Sequence, residues 1–163
     1  MTNFLINVGV PKLYAGDVSL FLTMILAGIV LMFLVKKTKL GAFTYAVYAS
    51  YFITKALYFD FMDKFSTKIL VFLGLAFGLH YLLFKPTVVV KLGGRGMMKW
   101  VRRIFIAFLI IGLMATIILS WMPKKEVLDL LSPFSLKIFT TKSAHLLWAI
   151  IPLLTLFAIR KKD

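Results

Sequence analysis

The chain has no cysteine. Disulfides, thiol nucleophiles and thiolate metal sites are therefore excluded, while the redox compartment stays open. Charge is also scarce. Only 16% of the 163 residues are Asp, Glu, Lys or Arg, where a soluble domain carries about a quarter. Too few polar groups exist to coat a soluble surface. Acids number six against 20 lysines and arginines. Internal repeats, heptad arrays and low-complexity tails are missing. No hydrophilic stretch exceeds roughly 22 residues, far below the roughly 40 that an unaided small domain needs. Any chemistry therefore belongs to groups inside a helix bundle or at its rims. No basic region precedes the short apolar run in MTNFLINVGV, Met1 to Val10, so no signal peptide is expected.

What the chain does have is apolar length. It is 61% apolar with a mean hydropathy of +0.95, the composition of an integral membrane protein. Five apolar stretches stand out, at 18–35, 40–59, 69–84, 100–121 and 144–159. A spanning helix needs about 20 residues at 1.5 Å rise to cross roughly 30 Å of hydrocarbon. The fourth stretch meets this best, with Trp100 and Trp121 placed to sit one at each interface. The third and fifth are shorter and need snorkelling flanks or local thinning. Pro152 also predicts a kink in the fifth.

Basic residues orient the bundle. With the N-terminus outside, the cytoplasmic pieces hold 12 lysines and arginines and one acid, Asp163. The outer pieces hold seven basic residues, diluted by Asp17, Asp60, Asp63, Glu126 and Asp129. The expected fold is thus all-α: a single transmembrane domain of five helices, or four with the last segment re-entrant. The N-terminus lies outside and the C-terminus in the cytoplasm. The outer loop from Met122 to Ser143 is too apolar to hang free. A short interfacial helix after Pro123 is expected there, lying in the interface or capping the bundle mouth.

Several motifs bear on function. The loop KPTVVVKLGGRGMMKWVRR, Lys85 to Arg103, carries Lys85, Lys91, Arg95, Lys99, Arg102 and Arg103 and no acid. It lacks the G-K-[ST] of a phosphate loop, so its expected partners are anionic lipid headgroups on the cytoplasmic side, and nucleic acid is not expected. The two histidines, His80 and His145, fall near opposite leaflets. They cannot share a metal or haem within the chain, and neither metal nor cofactor is predicted beyond bound lipid. Asp60 and Asp63 share a helix face at the outer boundary, with Lys64 and Lys68 following. Gly74 and Gly78 form a GxxxG, the spacing that lets two helices approach closely in lipid.

The second stretch is the most unusual. Thr44, Tyr48, Tyr51, Lys55 and Tyr58 follow one helical stripe. Tyrosine hydroxyls in hydrocarbon need partners, so the stripe is expected to face other helices or a wet cavity. Lys55 lies close enough to the outer boundary to snorkel, with Asp60 or Asp63 as counter-ion.

The expected function is a non-catalytic multi-pass subunit, packing in a larger membrane complex or with copies of itself. The alternative is a small transporter or channel whose pathway is the tyrosine–lysine stripe, with Asp60 and Asp63 at its outer mouth. Transport sites favour mid-membrane broken helices, and no repeat or acid lies at that depth. A lipid-acting enzyme would need His80, His145 or the acids to converge. The expected location is a bacterial or archaeal cytoplasmic membrane, or an organellar inner membrane.

Overall fold

The computed structural model describes residues 6–7, 9, 11–35, 39–57, 64–83 and 97–160. All described secondary structure is helical, with seven helices in chain order. They are α1 (Lys12–Leu34), α2 (Leu40–Ala56), α3 (Phe65–Leu83), α4 (Met97–Trp121), α5 (Lys124–Leu130), α6 (Pro133–Phe139) and α7 (Lys142–Arg160).

Three helices are long and apolar enough to cross a membrane: Tyr14–Leu34, Phe65–Leu82 and Trp100–Trp121. A fourth crossing is available if α6 and α7 count together as one span broken by a 55° bend. At 17 residues, α2 is about 25 Å long and falls short of the hydrocarbon thickness. The expected outer-loop helix is two short ones. Pro123 precedes the first with an extended ψ, and Pro133 opens the second, its fixed φ suiting a first turn.

The bundle is organised around α4, which packs against α1, α2, α3 and α7, while α2 and α3 pair closely with each other. Large apolar side chains also cover the outside. Phe33 and Tyr81 are 86% and 87% exposed, a surface that only lipid tails or a partner would solvate well. Lipid is as apolar as leucine, so close packing and satisfied polar groups decide which faces turn inward. Buried Thr44, Ser50 and Thr116 accordingly return their hydroxyls to Leu40, Ala46 and Gly112 carbonyls of their own helices.

Two apolar clusters form the interior. One centres on Phe43, Phe72, Ile106 and Ile110, between α2, α3 and α4. The other joins Met24 of α1, Leu119 of α4 and Phe139 of α6. It is sealed by Trp148, whose ring stacks on Phe139 at 5.4 Å and 12° and lies against Gly112. The Trp148 indole N–H donates to the Ile138 carbonyl at 3.1 Å. One tryptophan thereby fixes the bend between α6 and α7.

Candidate functional site

Three features stand out as candidates. The first is the polar stripe of α2. Two of its hydroxyls, on Thr44 and Tyr48, are taken up by carbonyls. Thr44 is buried and bonded within its helix. The Tyr48 hydroxyl donates to the Ala149 carbonyl of α7. That carbonyl adjoins Trp148, whose own carbonyl loses its helical donor because Pro152 has no N–H. Tyr48 thus fastens α2 to α7 one residue beyond the carbonyl that Pro152 leaves without its helical donor. Tyr51 stacks on Trp121 at 6.1 Å and 23°, and Phe72 meets the same indole edge-on at 5.5 Å. Lys55 is exposed, with Nζ 5.5 Å from the Tyr51 ring centre. Tyr58, Asp60 and Asp63 lie outside the described residues.

The second feature was not apparent from the sequence, which left Asp17 among the outer-loop acids. Asp17 sits inside α1, within the Tyr14–Leu34 span and only 6% exposed. Its carboxylate accepts the Ser132 backbone N–H at 3.2 Å and the Ser132 hydroxyl. Ser132 Oγ in turn accepts the Phe134 N–H at 3.2 Å, capping α6. Ser135, also buried, lies beside the same carboxylate. Among the described residues no basic side chain pairs with Asp17. The neighbouring Gly16 lets α1 touch the Leu130 carbonyl, where any β-carbon would collide. The break between α5 and α6 is therefore pinned to α1 by one glycine and one acid.

Beside this lies the third feature, a cavity of about 480 Å³ bounded by α4, α5, α6 and His145 of α7. Leu119, Met122, Val127 and Leu136 make its walls, with Lys124 beside them. The hydroxyls of Ser120 and Thr140 at its edge donate to Ile117 and Leu136 carbonyls. Its interior chemistry is therefore largely apolar.

The other sequence candidates are dispersed. His80 meets Phe43 edge-on at 5.3 Å, and its Nδ1 is buried without a hydrogen bond. No group of three or more His, Asp or Glu that would hold a metal occurs among the described residues. Arg103, counted with the cytoplasmic lipid contacts, is only 4% exposed, with its guanidinium 5.1 Å from the Trp100 ring centre. Its burial withholds it from a headgroup surface. Lys85, Lys91 and Arg95 lie outside the described residues, as does the side chain of Lys99, while Arg102 is half-buried. Among the described residues, none packs against Gly74 or Gly78 of α3. A β-carbon at either would have nothing within 4 Å.

Compared with protein-family models, curated proteins and solved structures, the chain matches none.

Proposed function

We propose that the chain is a non-catalytic multi-pass membrane subunit that assembles through α3 with another subunit or a second copy of itself. In this reading it spans five times, with the N-terminus outside and the C-terminus cytoplasmic, in a cytoplasmic or organellar inner membrane. The observation that carries it is the open face at Gly74 and Gly78. Small residues four apart let a second backbone approach, and among the described residues nothing occupies either glycine's open side. Leu70, Phe77 and Tyr81 of the same helix are 70%, 40% and 87% exposed, which adds an apolar surface for a partner or for lipid.

Two further points support the subunit over the alternatives. A tyrosine-lined pathway needs free hydroxyls and open space, but Tyr48 is bonded to α7 and Tyr51 is stacked against Trp121. Catalysis needs convergent groups, and His80 and His145 occupy separate surroundings. Anionic lipid on the cytoplasmic side remains part of the proposal through the basic residues between α3 and α4.

Native mass spectrometry and light scattering after mild extraction test the reading. The parent should migrate as a homo-oligomer or with a stable partner. The paired change Gly74→Ile and Gly78→Ile should release a monomer with an unaltered melting temperature. A parent that is a clean monomer without any companion would overturn the proposal.

A further inference from the structure

The cavity beside α5 straddles the end of a membrane span. Leu119 and Ser120 lie in the last turn of the Trp100–Trp121 span, and Lys124 lies just past its end. Apolar walls, completed by Val127 and Leu136, therefore stand at the edge of the hydrocarbon, with a lysine at the level of the interface.

Size limits the occupant. A volume of about 480 Å³ falls among the roughly 300–1,000 Å³ of small-ligand sites. An α-helix about 10–12 Å across fills roughly 400–600 Å³ in a single turn, so no partner helix enters. A slender chain does. Beside a bilayer, the slender apolar chain in excess is an acyl tail.

The polar groups at the edge select the head. The Ser120 hydroxyl spends its one hydrogen on the Ile117 carbonyl, and Thr140 spends its own on Leu136. Both oxygens are left able only to accept. Lys124 can only donate, and its long stem lets the ammonium reach the mouth from an exposed position. His145, half-buried at the same edge, offers a further ring N–H. Charged donors of this kind favour carboxylate or phosphate oxygens.

From this placement we infer that the cavity binds one acyl chain of an anionic amphiphile, its carboxylate or phosphate head held by Lys124 and His145. A fatty acid and an anionic phospholipid share that chemistry. The site shares no residue with the α3 face, so it goes beyond the subunit reading without resting on it.

Photolabelling of the full chain in phosphatidylcholine nanodiscs tests it. The probes are palmitate and phosphatidylglycerol, each with a diazirine near the chain end, and peptide mass spectrometry maps the adducts. Adducts should concentrate on Leu119, Val127 and Leu136 and saturate as probe is added. Phe33 and Tyr81, 86% and 87% exposed, should instead be labelled in simple proportion to probe. Unlabelled palmitate should clear the cavity adducts, with uncharged-overall lysophosphatidylcholine at least about fivefold weaker. Lys124→Gln should weaken apparent probe affinity about fivefold, the scale of one basic residue beside an anionic headgroup. Leu136→Trp, which fills the cavity, should remove its adducts and spare those at Phe33 and Tyr81. The surface change Lys124→Gln keeps the inference testable if Leu136→Trp fails to fold. Saturation by palmitate alone assigns a free fatty acid, and saturation by phosphatidylglycerol assigns a membrane lipid; either upholds the inference. Cavity labelling no more saturable than that of Phe33 and Tyr81 would overturn it. So would labelling unmoved by either variant, or equal competition by lysophosphatidylcholine.

Discussion

Replacing Gly112 with alanine tests the contact that sets α7 against α4. A β-carbon there would fall within the six-membered ring of Trp148, overlapping Cζ3, Cη2 and Cε3. The indole has little freedom to withdraw. Its N–H is held by the Ile138 carbonyl at 3.1 Å, and its ring is stacked on Phe139 at 5.4 Å. Overpacking alone costs about 1–3 kcal/mol. Displacing the indole adds about 0.5–1.5 kcal/mol for the hydrogen bond and a similar amount for the aromatic pair. The sum is on the order of 2–6 kcal/mol. In a protein of this size each kcal/mol moves Tm by about 2–4 °C, so a fall of roughly 5–20 °C is expected. Tryptophan fluorescence during thermal unfolding in detergent measures it. A double-mutant cycle with Trp148→Leu isolates the cause, because Gly112→Ala should cost far less once the ring is gone. A single variant within about 0.5 kcal/mol of the parent, or strictly additive effects in the cycle, would refute the reasoning.

Other substitutions probe the remaining contacts. Gly16→Ala should cost about 1–3 kcal/mol by pushing the Leu130 carbonyl off α1. Faster amide exchange from Leu131 to Leu136 would report the loosening, and unchanged exchange would contradict it. Asp17→Ala orphans the Ser132 N–H and hydroxyl and should destabilise more than Asp17→Asn, which keeps an acceptor, by about 1–3 kcal/mol in equilibrium unfolding. Tyr48→Phe removes one interhelical hydrogen bond, so a loss of about 0.6 and at most about 1.7 kcal/mol is expected. A larger loss would mean that the hydroxyl does more than fasten α2 to α7. Lys55→Met should change unfolding free energy by no more than about 1 kcal/mol, since the ammonium is exposed and its contact with Tyr51 is a solvated cation–π pair.

The helical membrane character was legible because it depends on composition and run length, which need no tertiary context. The α2 stripe was legible for a related reason: the steps from Thr44 to Tyr48, Tyr51 and Lys55 follow the period of a single helix. Which neighbour would meet each hydroxyl was not written locally. Tyr48 finds Ala149 of a different helix, 101 residues away. Asp17 escaped notice because hydropathy starts the first apolar run at Val18, whereas α1 begins at Lys12. Its partner Ser132 is 115 residues distant, and neither residue belongs to a recognisable motif. The two glycine pairings diverged in the same way. Gly74 and Gly78 announced themselves by spacing yet meet nothing among the described residues, while Gly16 and Gly112 carried no pattern and make close contacts.

The sequence by itself determined that this chain prefers lipid to water and builds helices there. Hydrocarbon accepts apolar side chains and leaves backbone groups no partner but their own helix. Tertiary structure alone decided which glycines are filled, which hydroxyls are spoken for, and where a carboxylate is buried. In a medium as apolar as the protein, hydrophobicity cannot rank one face above another. That ranking falls to shape complementarity and polar pairing, which exist only once the helices have met.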